Sequence, residues 1–96
     1  MNKKGGRIFI VREWVIHNQY GIHARPAALF VKTASRYDSD IYVEKDGSKV
    51  SGKSIMGLMT LEASKGSKIK VSAEGIDAEE AIKELQALVE GKFDEE

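Results

Sequence analysis

The most constraining feature of the sequence is a proline that stands next to the start of an apolar pattern. Pro26 has no backbone N–H, so it is tolerated only in the first turn of an α-helix. Apolar residues follow it at the three- and four-residue spacing of a helix that buries one face: Ala28, Phe30, Val31 and Ala34. The sequence therefore predicts a helix from Ala24 to about Tyr37, with His23 at or next to its N-cap.

This helix start combines a histidine with an anion-binding environment. The first N–H groups of a helix have no acceptor within it and lie at the positive end of its dipole, so they bind anions. Arg25 adds a charge whose fork geometry suits phosphate, although a solvated helix residue is the alternative interpretation. A nucleophilic ring nitrogen of His23 beside the N–H groups of Ala24 and Arg25 predicts a transient phosphohistidine.

A second helix is predicted near Ser54. Serine is a favoured N-cap, and that role alone explains the residue. A phosphorylated serine would be stabilised by the same N–H groups, so structural and regulatory roles are compatible. The helix is too short to bury every face, and methionine suits surfaces that serve several partners. We expect an exposed docking patch near His23 that contains Met56 and one or two of its neighbours, Ile55 and Met59, with Ile55 assigned either to the patch or to the core.

Composition limits the class of protein. A chain of 96 residues makes one domain, and the absence of cysteine excludes disulfides and thiolate metal sites. No apolar run reaches membrane-spanning or secretory length, so we expect a cytoplasmic protein. The 15 basic and 15 acidic residues balance, but residues 21–70 are locally basic and residues 77–96 acidic. This distribution favours docking on acidic proteins and not nucleic-acid binding.

The predicted element order is β-α-β-β-α-β-α, an α+β class with a four-stranded antiparallel sheet and three helices on one face. Asp46-Gly47 predicts a hairpin between the second and third strands, and the alternation of Ser67–Ala73 predicts the fourth strand. The order alone also suits a ferredoxin-like fold with an added helix. Asp77 is predicted to cap the last helix in a capping box with Glu80. We divide the chain into an extension (1–11), a domain (12–91) and an acidic tail (92–96), whose last residues, Asp94-Glu95-Glu96, are expected to be frayed. The sequence leaves open whether 8–11 lengthen the first strand, cover an apolar patch or are poorly ordered.

Two segments carry a resemblance to a known family. Gly21-Ile22-His23-Ala24-Arg25-Pro26-Ala27 resembles the active-site signature of HPr, the histidine-containing phosphocarrier of the bacterial phosphotransferase system. Lys53-Ser54-Ile55-Met56-Gly57-Leu58-Met59 is similar to the regulatory-serine segment of HPr from Gram-positive-type bacteria. The similarity extends from about Trp14 to about Val89, and the two motifs together make it specific.

The resemblance implies an open-faced β-sandwich in which the first and last strands pair centrally. It implies a covalent carrier and not an enzyme, monomeric, without metal or cofactor, that accepts a phosphoryl group on Nδ1 of His23. Phospho-enzyme I would donate this group, and A domains of enzyme II would receive it. Ser54 would be modified by HPr kinase/phosphorylase and then bind a catabolite-control transcription regulator. Asn18, a turn residue on its own evidence, becomes a weak candidate for contact with the phosphoryl group.

Three other functions stay open. Some HPr relatives keep the serine, lack the histidine and act only as corepressors; the presence of His23 argues against this role. A nitrogen-related phosphorelay would not import sugar, and the Ser54 segment favours the carbon branch over it. An unrelated α+β interaction domain is the third alternative.

Overall fold

A computed structural model of the protein describes residues 7–95. The elements follow in the predicted order: β1 (Ile8–Val15), α1 (Ala24–Ala34), β2 (Asp40–Lys45), β3 (Ser48–Ser51), α2 (Ile55–Thr60), β4 (Lys68–Gly75) and α3 (Ala78–Glu90). A 3₁₀ turn, Lys92–Asp94, comes after α3. None of the helices in this part of the chain has the length and apolar character needed to cross a membrane.

The four strands form one antiparallel sheet in the order β1-β4-β2-β3. Alternate residues of β4 point to opposite faces, as the pattern predicts, and Ile69, Val71 and Ala73 are buried. They join the apolar faces of the three helices in a single core. The predicted α+β fold, with four antiparallel strands and three helices, is confirmed.

The expectation that the first and last strands pair centrally is only half right. β1 pairs with β4, but it lies at the edge of the sheet, and β2 occupies the other side of β4. β2 and β3 are joined by a tight hairpin through Asp46 and Gly47, both with positive φ, and the two central strands are β4 and β2. This hairpin adds to the sheet as a unit on the β2 side. β1 carries the exposed charged residues of an edge strand, Arg12 and Glu13.

The ends of two helices differ from the predictions. α1 stops at Ala34, because the following N–H groups of Arg36 and Tyr37 bond three residues back, to Thr33 and Ala34, instead of four. The predicted capping box of α3 is wrong. Its N-cap, Asp77, makes no side-chain bond to the helix.

The carboxylate of Asp77 instead joins α3 to the loop that precedes β2. It accepts bonds from the N–H of Asp38 (2.8 Å), the N–H of Ser39 (3.0 Å) and the Ser39 hydroxyl. These bonds hold the pKa of Asp77 below its ordinary value. The same carboxylate therefore cannot also serve the first turn of its own helix.

The two ends of the described chain are ordered parts of the fold. Ile8–Val11 belong to β1, so they lengthen the first strand, which was one of the three alternatives left open. Within the acidic tail, Phe93 is fully buried in the core and Glu95 bonds to Asn18 and His23, so the fraying expected at residues 94–96 does not include Glu95. Residues 1–6 and 96 lie outside the described residues, and the division of the chain at residues 11 and 91 stays a prediction.

Candidate functional site

A glycine places the loop that leads into α1. The N–H of Ile22 bonds to the carbonyl of Ala63 at 2.8 Å, which brings this loop against the segment after α2. Gly21 has φ of +69°, and a Cβ at this position would lie 2.2 Å from the Ala63 oxygen. Only glycine fits both the conformation and the close approach. The backbone at His23 is therefore fixed from outside its own helix.

His23 is the N-cap of α1, as predicted, and its side chain leaves the helix start open. The side chain makes no capping bond, while the His23 carbonyl accepts from the N–H of Ala27 at 2.9 Å. Pro26 has no N–H to offer. Within residues 7–95, no acceptor bonds to the N–H groups of Ala24 and Arg25. Two donors at the positive end of the helix dipole are thus available to an anion.

A carboxylate from the C-terminal segment contacts the ring of His23. Oε2 of Glu95 lies 2.9 Å from Nε2 of His23, and Oε1 accepts from Nδ2 of Asn18 at 2.9 Å. The hydrogen bond from Asn18, then that from His23 and the positive charge of Arg25, hold the pKa of Glu95 below its ordinary value. The group is ionised at neutral pH, so Nε2 must donate to it. The neutral ring then carries its lone pair on Nδ1.

Asn18 holds the Glu95 carboxylate that contacts His23. Its side chain is fully buried, and its amide donates one hydrogen to the Gly21 carbonyl at 2.7 Å and the other to Glu95. The amide oxygen has no partner within residues 7–95. The contact predicted between Asn18 and the phosphoryl group therefore finds no free donor, because both amide hydrogens are used. Asn18 reaches the site through Glu95 instead.

Two exposed side chains flank the histidine. Arg25 is exposed at the second position of α1, where its charge acts on Glu95. The ring of Tyr20 stands edge-on to that of His23 at 6.4 Å between centroids and is 77% exposed. Sequence reasoning missed Tyr20 and Glu95. Glu95 follows α3 closely in sequence and is 72 residues from His23, so no local spacing could have linked the pair.

Ser54 is the N-cap of α2, as predicted, and its side chain caps its own helix. Its Oγ accepts from the N–H of Gly57 at 2.9 Å. A Cβ at Gly57 would lie 3.1 Å from this oxygen and 3.2 Å from Val50, so a glycine keeps the cap close. The serine is partly buried but within reach of the surface. Whether it is phosphorylated stays a prediction.

The predicted docking patch is exposed. Met56 is 75% exposed, Ile55 41% and Met59 39%, while Leu58 is the buried residue of α2. Since α2 packs against α1, these apolar side chains lie on the helix next to the one that starts at His23. Ile55 could have belonged to the patch or to the core, and its exposure places it in the patch. Among residues 7–95, no group of three histidine, cysteine or acidic side chains is arranged to hold a metal ion.

Comparison with known proteins agrees with this geometry. A family model described as the PTS HPr component phosphorylation site matches residues 10–91. The chain belongs to the HPr family. HPr proteins are phosphocarriers by name, and one from Borreliella burgdorferi is 48% identical over 81 residues, which cover 84% of this chain and 94% of that protein. The resemblance found in the two sequence motifs is confirmed.

Two further relatives show how broad this similarity is. The crystal structure of HPr-C-His from Thermoanaerobacter tengcongensis is 57% identical, covers 91% of this chain and 98% of its own, and superposes with a TM-score of 0.87. The HPr-like protein Crh of Bacillus subtilis is 53% identical over 70 residues, covering 73% of this chain and 82% of Crh. Both HPr and HPr-like proteins are therefore relatives, and the site residues must decide between their roles.

Proposed function

We propose that the protein relays a phosphoryl group from phospho-enzyme I to the A domains of enzyme II through a phosphohistidine at His23. The observation that carries this proposal is the half-exposed imidazole at the open start of α1. Its Nε2 is bonded to Glu95, which leaves the Nδ1 lone pair to attack phosphorus. The protein acts as a covalent carrier, as a single copy and without a resident metal or cofactor.

The helix start supplies the charge that a bound phosphoryl group requires. The N–H groups of Ala24 and Arg25, which have no acceptor within residues 7–95, can donate to its oxygens, and the Arg25 guanidinium can offset part of its negative charge. All three groups lie within the first two residues of α1, next to His23. The site holds the phosphoryl group by hydrogen bonds and charge and leaves its chemistry to the partner proteins.

The apolar residues of α2 supply the partner surface. Ile55, Met56 and Met59 are exposed beside α1, so a partner that covers His23 can also cover them. Enzyme I and the A domains would use this same face in turn, since the phosphoryl group enters and leaves at one atom. Adaptable methionine side chains suit a surface that must fit more than one partner.

We propose regulation at Ser54 by HPr kinase/phosphorylase. A phosphate there would stand at the start of α2 and beside the docking residues Ile55 and Met56. Its charge would weaken docking of enzyme I and create a surface for a catabolite-control transcription regulator. The similarity to Crh supports a regulatory role for this segment, because one Crh structure is described as a catabolite repression protein.

A second candidate function is that of a regulatory module without phosphotransfer at histidine, and the Crh relatives favour it. The histidine and its surroundings argue for the carrier. One experiment separates the two: incubation with phosphoenolpyruvate and enzyme I, followed by analysis of the phosphate. The carrier acquires an acid-labile, base-stable phosphate on His23, whereas the regulatory module acquires none and is modified only by the kinase and ATP, on Ser54.

A further inference from the structure

The C-terminal segment reaches the histidine by an unusual backbone path. Lys92, Phe93 and Asp94 have φ values of +57°, +54° and +60°, three successive non-glycine residues in the left-handed region. This conformation is disfavoured for L-residues, so it persists only where the surrounding structure determines it. Here the buried ring of Phe93 anchors the turn in the core. The turn delivers the next residue, Glu95, to His23.

The carboxylate of Glu95 is divided between two partners. Oε2 faces Nε2 of His23 at 2.9 Å, and Oε1 faces Nδ2 of Asn18 at 2.9 Å. The Glu95 side chain is 15% exposed, against 42% for His23. Asn18 is buried and must donate here, because its other amide hydrogen is bonded to the Gly21 carbonyl. The carboxylate is therefore held on a fixed donor and presents one oxygen to the ring.

We propose that Glu95 is a positioning residue for phosphotransfer: it keeps the proton of His23 on Nε2 and so keeps Nδ1 as the nucleophile. The proposal rests on the proposed function of His23 and adds to it a residue that the two sequence motifs do not contain. Glu95 does not touch the phosphoryl group. It acts through the ring, in the way that a carboxylate orients a catalytic or metal-binding histidine.

The chemical step balances with the Nε2 proton in place throughout. The Nδ1 lone pair forms the N–P bond while the donor's bond to phosphorus breaks and its electron pair stays with the donor. The ring, still protonated on Nε2, becomes positively charged and faces the Glu95 carboxylate. In the onward step the N–P bond breaks, its electrons return to Nδ1, and a neutral ring leaves. Without the Nε2 proton the leaving group would be an anion.

The charges around the carboxylate fit this role. His23 and Arg25 are the ionisable groups whose charges act on it, and Asn18 adds a neutral donor. Glu95 contacts the edge of the ring that carries Nε2, whereas phosphorus would bind at Nδ1. Arg25 stands on the helix start, where it can offset the negative charge of both groups. The carboxylate therefore stabilises the charged ring without occupying the place of the phosphoryl group.

Replacing Glu95 by glutamine should slow phosphotransfer more than replacing it by alanine. In Glu95→Gln the amide oxygen must face Nδ2 of Asn18, which can only donate, so the amide NH₂ faces Nε2 of His23. The ring would then accept at Nε2 and carry its proton on Nδ1, where it blocks attack. Glu95→Ala removes the contact without enforcing this exchange. A purely structural role predicts the opposite order, because glutamine preserves the shape of the side chain and alanine does not.

The experiment measures tautomer and rate separately. Ring ¹⁵N chemical shifts of His23 are recorded for the wild type, Glu95→Gln, Glu95→Ala and Asp94→Asn, an exposed neighbour that loses the same charge. Phosphorylation by enzyme I and phosphoenolpyruvate is then timed where melting curves show every variant folded. We expect the protonated nitrogen to change from Nε2 to Nδ1 in Glu95→Gln. The rate should fall about tenfold in Glu95→Ala and about a hundredfold in Glu95→Gln, with Asp94→Asn unchanged.

Three results would overturn the proposal. The first is a wild-type ring whose proton is on Nδ1, or the same tautomer in the wild type and Glu95→Gln. The second is a Glu95→Gln rate at or above that of Glu95→Ala. The third is a rate increase in Glu95→Ala, which would mean that the carboxylate obstructs the histidine. Failure of the carrier function is distinguishable, because it leaves wild-type His23 unphosphorylated whatever its tautomer.

Discussion

The N-cap side chains of α1 and α2, His23 and Ser54, make different contacts. Ser54 caps α2 with its own hydroxyl, which accepts from the Gly57 N–H at 2.9 Å. His23 stands at the equivalent position of α1 and makes no capping bond, while its ring turns to Glu95. In both helices the first two N–H groups have no acceptor within residues 7–95, so the two starts differ in what the N-cap side chain does. A side chain that caps its helix contributes stability, and one that does not is available for chemistry beside the N–H groups that bind anions. The comparison separates a structural cap from a candidate reaction site.

The largest expected effect comes from removing the open start's nucleophile. His23→Ala should abolish acceptance of phosphate from enzyme I, while the fold survives, because the half-exposed ring makes no bond to its helix. Transfer is measured as acid-labile phosphate and folding by thermal melting. His17→Ala, at the other histidine, which is exposed, is the control and should transfer normally. Transfer at an ordinary rate in His23→Ala would refute the comparison.

Adding a negative charge at Ser54 should weaken docking of enzyme I and leave the fold intact. Phosphorylation of Ser54 adds about −1.5 to −2 charges, and enzyme I should then react with His23 about ten- to a hundredfold more slowly. Ser54→Asp should show a weaker effect, and Ser48→Asp, on an exposed strand residue, should show none. The rates and melting temperatures of all forms are compared. A large fall in the melting temperature would mean damaged structure, and equal rates would remove the regulatory role.

Removing the positive charge at the open start should slow transfer without unfolding the protein. Arg25→Ala should reduce the rate up to about tenfold, because charge-assisted hydrogen bonds to the phosphoryl group are lost. Lys32→Ala removes an exposed charge from the last turn of the same helix and serves as the control. Both directions of transfer are timed. Equal rates for the two variants would assign Arg25 to the solvated surface.

Loss of the N-cap side chain should reduce the free energy of unfolding more at Ser54 than at His23. Ser54→Ala should cost about 1 kcal/mol of unfolding free energy, because the Gly57 N–H loses its acceptor. His23→Ala should cost less, since no capping bond is lost and the bond that is lost, from His23 to Glu95, joins a half-exposed ring. Denaturant unfolding measures both, with Ser48→Ala as an exposed serine control. A larger loss in His23→Ala would contradict the division between cap and reaction site.

The smallest expected effect is a dependence of stability on acid pH, which should be seen at His23 and Glu95 but not at Ser54. The folded-state pKa of Glu95 is lowered by Asn18, His23 and Arg25. Its contribution to stability is therefore complete above the ordinary glutamate pKa and is lost as the pH falls through the lowered folded value. The difference in melting temperature between wild type and Glu95→Gln should shrink over this acid range. The difference between wild type and Ser54→Ala involves no titratable pair and should stay constant.

Much of the fold could be predicted because its signals are local. The helix at His23 follows from Pro26 and its apolar spacing, the hairpin from Asp46-Gly47, and β4 from strict alternation. The errors concern residues that bond far along the chain. Asp77 was expected to cap its own helix and instead bonds Asp38 and Ser39. A capping pattern cannot reveal a competing partner about forty residues away.

The site shows the same limit. His23 and Ser54 were placed correctly as N-caps, because capping depends on a few adjacent residues. Glu95 was missed, since an acidic end of the chain is typical of a frayed tail. The one apolar residue in that segment, Phe93, decides otherwise by entering the core. Burial of a single ring can order a segment whose composition predicts disorder.

The strand order has a consequence for how the chain folds as it is synthesised. In the described part of the chain, β4 lies between β1 and β2 and joins them into one sheet. The ribosome makes β1, β2 and β3 first, so β1 has no sheet partner until β4, residues 68–75, begins to emerge. Until then the nascent chain can form the β2–β3 hairpin, α1 and α2, but not the sheet. Folding must wait for contacts that are distant in sequence, and such topologies fold more slowly than helical bundles.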